Sequence, residues 1–241
     1  TIYLIRHGEI QEDGEPRRCI GHTDLPLTQA GEKQALRLRE YFHSRPVTAV
    51  YSSPLIRCLQ TAQIAFPDHE IRICEGLVEQ FCGEWEGLDF TEIKERDPAY
   101  YAARGHDLAA HPPKGGETLS SCLERMKEAV LKIASESTGD IAIIAHSTVN
   151  RTLIAWLLDI PLEELQSVPQ PPSCINKLVV KGETLILRSI GQVPHAVPSD
   201  EEIMALWDRF DLPAHIRAHT SAVANVSAKL ARALEETDPV D

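Results

Sequence analysis

The sequence is short of the features that would place it in a membrane, on a nucleic acid or around a structural metal. Across 241 residues no apolar run is long enough to cross a bilayer, and no charged-then-apolar leader opens the chain. A cytoplasmic protein with no membrane partner is therefore expected. The first residue is Thr rather than Met, and nothing is built on that terminus. Basic residues are outnumbered, 24 Lys and Arg against 36 Asp and Glu for a net charge of −12, and no basic stripe carries interleaved aromatics. That balance argues against a nucleic-acid partner. It does not argue against an anionic ligand, which needs only a few Arg and His converging in one cleft. The six cysteines, Cys19, Cys58, Cys74, Cys82, Cys122 and Cys174, include no C-x-x-C pair and no Cys/His cluster at zinc spacing. They read as reduced thiols. There is no internal repeat and no low-complexity tract.

What is present is a β-α rhythm. The opening stretch TIYLIRHGE runs β-branched and aliphatic into Arg6, His7 and Gly8, as a buried strand does when it delivers polar groups at its carboxyl end. Open α/β sheets keep their ligands there. Thr28 is a plausible N-cap for a helix to about Ser44, closed by Pro46, and VTAVYSS (Val47 to Ser53) reads as a second buried strand with Pro54 opening the next helix. Ile71 to Leu77 is a third strand candidate. VEQFCGEWEGLDF predicts an irregular loop, and Thr91 to Gly116 a short helix with a Pro/Gly-rich insertion over a site. Thr118 to Ser135 has the spacing of a long amphipathic helix. Asp140 to Ala145 is the clearest strand and ends on His146, before a helix over VNRTLIAWLLDI. Cys174 to Val180 and Thr184 to Ser189 pair as a hairpin, an antiparallel edge to the sheet. The expected fold is α/β: a three-layer sandwich with a mostly parallel sheet, helices on both faces and a short helical C-terminal extension. The expected division is 1–195 and 196–241, with a boundary near Gly191 to Pro198.

Two strands thus end on histidines, His7 and His146, and a third ends on a Ser-Ser-Pro turn whose helix carries Arg57 one turn in. If these strands are parallel neighbours, two histidines and two arginines, Arg6 and Arg57, meet at one sheet edge. Guanidinium groups fork onto phosphate oxygens with paired charge-assisted bonds that Lys does not reproduce. A neutral imidazole among them could attack phosphorus, and the leaving alkoxide then needs an acid. Glu79 is the best candidate, with Glu84 and Glu86 as competitors.

LIRHGE, GHTDLPLTQAG, SSPLIRCLQTA, LVEQFCGEWEG, GGET before a helix and AHS after a strand stand in the order of the histidine phosphatase superfamily, the phosphoglycerate mutase-like family, which the chain resembles over Thr1 to Ser189. It looks most like small phosphatases of the alpha-ribazole phosphatase type, through GHTDLPLT and the compact GEWEG loop. The resemblance implies His7 as the phosphorylated nucleophile with Arg6 beside it, Arg57 and His146 as ligands of the transferring phosphoryl group, and Glu79 as proton donor. It places Gly21 and Arg18 along the phosphate pocket. Family members often have glycine after the second histidine, where this chain has Ser147, a candidate substrate contact, and then Thr148. It implies a metal-independent phosphatase, without cofactor, acting on a small phosphorylated metabolite. The alternatives are a phosphoglycerate mutase, disfavoured by the compact chain, and a non-catalytic phospholigand-binding module.

Gln80 to His111 should line the mouth of the site, where Tyr100, Tyr101 and Arg104 either touch a leaving group or pack the insertion down. His22, His43, His69, His106 and His111 have no partner pattern and read as surface or insertion-loop residues. In the tail, His215 and His219 lie four apart on one helical face, but Ile216 stands where a zinc protease needs Glu. The segment resembles the first helices of an HD-type domain without the later ligands such a site requires, so a truncated second domain without activity is expected. The edge hairpin and the tail are both surfaces through which a homodimer could form.

Overall fold

The computed structural model describes residues 1–12, 14–182, 184–194, 200–223 and 226. Contacts divide the chain into two compact units, Thr1–His195 and Ala196–Asp241. In the first, β1 (Ile2–Arg6), α1 (Gln29–His43), β2 (Ala49–Ser52), α2 (Ile56–Ala65) and β3 (Ile71–Ile73) are followed by α3 (Phe90–Arg96), α4 (Pro98–His106) and α5 (Leu119–Glu136). β4 (Ile141–Ala145), α6 (Ser147–Leu157), β5 (Ile175–Lys181) and β6 (Thr184–Gln192) complete it. Among the described residues no helix is long and apolar enough to cross a membrane.

The sheet order is β3-β2-β4-β1-β5-β6. β1 and β2 each pair with β4 in parallel, and β5 joins β1 antiparallel, so the mostly parallel sheet ends in the expected antiparallel hairpin. The alternation of side chains along the strands sorts the core into two layers. Ile2, Leu4, Ile141, Ile143 and Tyr51 pack with Met126, Val130 and Ile133 of α5 and with Val149 and Leu153 of α6. Tyr3, Ile5, Val50, Ala142 and Ile144 face Leu38 and Phe42 of α1 and Cys58 and Ala62 of α2. Both sheet faces are therefore covered by helices. β4 is buried along its whole length, which explains its unbroken apolar run.

Thr28 caps α1 by accepting from Gly31 N at 3.1 Å, and Thr118 caps α5 by accepting from Ser121 N at 3.1 Å. Gly8 has to be glycine because a Cβ there would lie 2.6 Å from the Gly31 carbonyl oxygen. The turn after β1 thus presses directly on the first turn of α1.

Three expected boundaries move. The third strand stops at Ile73, and a 3-10 turn over Glu75–Leu77 follows, because Leu77 dives into the core and Gly76 packs so closely on α5 that a Cβ would come within 2.6 Å of Ala129 Cβ. The insertion holds two helices rather than one, since Asp97 ends α3 and caps α4, with Pro98 at its first position. α6 begins at Ser147, directly after the strand. A small apolar cluster of Cys82, Trp85 and Ile93, joined by Cys19, Leu88, Tyr100 and Tyr101, fastens the insertion to the domain.

In the second unit α7 (Asp200–Arg209) is followed by a helical run over 214–223, and Arg217 ties the two by donating to Leu212 O, Trp207 O and Asp208 Oδ1. His215 and His219 are exposed on that run, and among the described residues no group of three or more His, Cys, Asp or Glu is placed to hold a metal. Of the boundary expected near Gly191 to Pro198, residues 195–198 lie outside the described residues, as do 224, 225 and 227–241.

Candidate active site

The strand order brings the carboxyl ends of β1, β4 and β2 side by side, so His7, His146 and the Ser53-Pro54 turn meet at one edge. The His7 and His146 rings stand 5.1 Å apart between centroids. Both are buried, at 4% and 0% exposure. Burial holds each imidazole well below the usual histidine pKa, and the nearby Arg6 and Arg57 charges push in the same direction.

Hydrogen bonds fix both tautomers. His7 Nδ1 lies 2.6 Å from Gly8 O, and a carbonyl only accepts, so Nδ1 carries the proton and the neutral ring keeps its lone pair on Nε2. His146 is the reverse. Arg57 Nε donates to its Nδ1 at 3.1 Å, which leaves Nε2 protonated and donating to Ser53 Oγ at 2.7 Å.

Arg57 is 1% exposed and donates through Nη1 to Thr23 O at 2.9 Å and through Nη2 to Gly21 O at 2.6 Å. Three of its five N–H donors are thereby used on the protein. Gly21 is held from the other side by Glu86, whose carboxylate also accepts from His22 N, Thr23 N, the Thr23 hydroxyl and Cys82 N. Although burial opposes it, the Thr23 hydroxyl and these backbone donors keep Glu86 below the ordinary carboxylate pKa. Glu86 is a clamp between two loops, and Glu84 is exposed. Neither competes with Glu79, which is 6% exposed.

Glu79 occupies the N-terminus of α6. Its carboxylate accepts from Thr148 N at 3.1 Å, Val149 N at 3.3 Å and Gln80 N at 2.9 Å, taking orphan amides that a histidine N-cap leaves unserved. Its backbone is steered by Arg125, which donates to Gly76 O, Val78 O and Glu79 O while paired with Glu117 at 2.8 Å. His22, expected to be a plain surface residue, donates from Nε2 to Glu79 O at 2.9 Å.

A cleft of about 330 Å³ opens over these groups. Of the residues singled out from the sequence, Arg6, His7, Arg18, Glu79 and Ser147 line it, and Arg57, His146 and Gly21 are buried beside them. Arg57 and His146 are bonded to each other, and the Gly21–Thr23 turn and Ser53 supply further acceptors that spacing alone does not reveal, which leaves two Arg57 N–H groups for a ligand. Arg6 reaches Gln170 O through Nη1, yet its buried Nε has no partner among the described residues. Burial lowers its pKa, and it stays a cation. Arg104 lines the cleft with its guanidinium 5.3 Å from the Trp85 ring, whereas Tyr100 and Tyr101 pack against Trp85 away from the cleft. Arg17, Thr148 and Gln166 also line it and were not singled out from sequence. Thr61, one turn after Arg57, accepts from Gly8 N at 3.1 Å and was equally missed, though its spacing on α2 is a usable signal.

The sequence model of the histidine phosphatase superfamily (branch 1) matches residues 2–192. The chain belongs to that superfamily. Its members are phosphatases and mutases. The chain is 30% identical over 180 residues to the 6-phosphofructo-2-kinase/fructose-2,6-bisphosphatase of Caenorhabditis elegans, a match covering 74% of this chain and only 38% of that protein. Among solved structures it is similar to YhfR from Bacillus stearothermophilus, with a TM-score of 0.74, 33% identity and coverage of 80% and 96%. It is also similar to the alpha-ribazole phosphatase from Shigella flexneri, with a TM-score of 0.72, 25% identity and coverage of 82% and 99%.

The two buried histidines make stability depend on pH. Each is neutral in the fold and gains a proton on unfolding once the pH falls below about 6.5, so the unfolded chain binds more protons. Their contribution is fully present above that pH and is lost as the pH falls toward the depressed folded values. Between those limits the two together should cost about 2.7 kcal/mol per pH unit. Urea unfolding between pH 7 and 5 measures this, and a flat profile would contradict the buried neutral pair.

Proposed function

We propose that the chain is a phosphomonoesterase that transfers phosphate to His7 and then to water. The observation that carries this reading is the His7 tautomer: Nδ1 is committed to Gly8 O, which leaves Nε2 as a neutral nucleophile at the floor of a cleft walled by arginines. The unpartnered Arg6 Nε and the two N–H groups that Arg57 does not spend on the protein supply charge-assisted bonds to equatorial phosphoryl oxygens. Arg57 also keeps His146 oriented behind His7. Glu79, in the same cleft, gives the leaving oxygen its proton and then takes one from the water that attacks the phosphoenzyme.

The substrate is a small phosphorylated metabolite. Quenching labelled substrate in alkali should leave phosphate on His7, with inorganic phosphate as the end product and no loss of turnover in chelator. Return of the label to a second hydroxyl would instead mark a mutase, and stoichiometric binding without any labelled enzyme a binding module.

Arg104 bears on what lies beyond the phosphate. It reaches the cleft yet is anchored by Trp85 and by the carbonyls of Leu108 and His111, so its charge is held in place toward the leaving group. Arg104→Ala should raise KM about 10-fold with kcat nearly unchanged, as expected for one uniform charge-assisted contact. Steady-state kinetics on the physiological ester checks this, and an equal fall in kcat would instead place Arg104 in the transition state.

A further inference from the structure

Two thiols line the cleft, Cys19 and Cys82, and the proposed phosphoryl chemistry uses neither. Cys19 follows Arg17 and Arg18, and Cys82 sits in the loop that carries Glu79; both line the cleft. Cys19 packs on the apolar cluster that holds Cys82, and the two segments touch, since a Cβ on Gly21, two residues after Cys19, would lie 3.0 Å from Cys82 N; the Cys82 thiol donates to Gln80 O at 3.6 Å.

The approach is built into the backbone. Cys19 N donates to Leu88 O at 2.8 Å and Cys19 O accepts from Gly87 N at 2.9 Å, while Cys82 N donates to Glu86 Oε1 at 2.9 Å. Both segments are thus tied into the same loop.

The partners are unequal. Cys19 is partly exposed to the cleft, and Cys82 is 7% exposed. The neighbouring Cys82 thiol brings the Cys19 thiol below its ordinary pKa, with Arg104 assisting and burial and Glu86 opposing, while Cys19 and burial together raise Cys82. The reachable sulfur is therefore the one that ionises more readily, and the thiolate is the reactive form. Cys58, Cys122 and Cys174 are buried with their pKa values raised by burial, as expected of inert core thiols.

We propose that Cys19 and Cys82 are an oxidant-responsive dithiol, with Cys19 the attacking and Cys82 the resolving thiol, whose disulfide switches the cleft off. With hydrogen peroxide as oxidant, the Cys19 thiolate forms an S–O bond as the O–O bond breaks, and the departing hydroxide leaves as water after taking a proton. Cys82 then attacks that sulfur; the S–S bond forms, the S–O bond breaks, and the hydroxyl leaves as water with the Cys82 proton. Two thiols lose two electrons in all, and one peroxide becomes two waters. A disulfide spans only about 2.05 Å, so closing it draws the segment bearing Arg17 and Arg18 toward the loop bearing Glu79. Displacing catalytic groups by about 1 Å costs about 10²-fold in rate.

The test is a mild hydrogen peroxide titration of the full chain. Cleavage after Glu75 and Glu79 separates Cys74 from Cys82, so mass mapping should find one linked species joining the Cys19 and Cys82 peptides, lighter by two hydrogens. In Cys82→Ser a sulfenic-acid trap should instead label Cys19. Turnover should fall about 100-fold as the bond forms and return with dithiothreitol. Over-oxidised Cys19 with no linked peptide, or links only between other cysteines, overturns the dithiol; a complete bond with unchanged turnover overturns the switch. Only that last arm rests on the phosphatase reading. If the untreated chain hydrolyses no ester, that reading fails, and the mass of the wild-type chain still decides the dithiol, even where the serine variant does not fold.

Discussion

Replacing His7 with alanine should abolish turnover, lowering kcat by about four orders of magnitude or more while leaving phosphate binding largely intact. The loss is large because neither His146 nor Glu79 can take its place. His146 has Nδ1 committed to Arg57 and Nε2 to Ser53, so it offers no free lone pair. Glu79 is engaged by three amides of its own loop and of α6. The anion site depends on Arg6 and Arg57, which reach their partners without His7: Gln170 for one, and His146, Thr23 and Gly21 for the other. His7→Ala should therefore still bind inorganic phosphate analogues, and should show no alkali-stable label after exposure to substrate. Residual activity above about one per cent of wild type would remove His7 from the nucleophile's place.

Arg57→Ala should be the most damaging substitution to fold and activity together. It strips the donors from Gly21 O, Thr23 O and His146 Nδ1 in one step, in a region with almost no access to water. Leaving buried acceptors unsatisfied costs about 2–4 kcal/mol here, which lowers Tm by about 5–15 °C in a domain of this size. Loss of a cation aimed at the transferring group adds a fall in kcat of about 10²–10³-fold. Because Arg57 also depresses both imidazoles, their titration should move upward in the variant, which proton NMR of the ring signals reads directly. Arg57→Lys should restore little, since a single ammonium cannot reach three acceptors set around a planar fork. Wild-type melting and turnover within a few-fold would show that the Gly21–Thr23 turn holds itself.

Much of this was legible in the sequence, and what was not has physical reasons. The strands announced themselves by apolar runs ending in His7, His146 and Ser53, and the helices by Thr28 and Thr118. Their adjacency could only be supposed, because pairing β1 and β2 through β4 is a long-range choice that local pattern does not encode. Glu79 could be picked out by motif, but not its seat on the amides of α6, which depends on Arg125 arriving from α5. Gly76 and Leu77 shortened the third strand because packing on Ala129 overrode their local preference. The division of labour between a cleft-facing Arg6 and a buried Arg57 was invisible, since both read simply as arginines near a histidine. So was the Cys19–Cys82 contact, which joins segments far apart in the chain.

The place of β4 also has a consequence for how the protein comes into being. β4 follows β1 and β2 in the chain yet lies between them, so during synthesis those two strands wait with open hydrogen-bonding edges until residue 145 has emerged. Closure then depends on contacts between residues more than a hundred positions apart, such as Ile2 with Ile141, and such closure is slow. A chain interrupted before that strand carries His7 and Arg57 but has nothing to bring them together, and it exposes two apolar strand edges to its neighbours. Assembly of the candidate site and burial of the facing edges of β1 and β2 are thus the same late event.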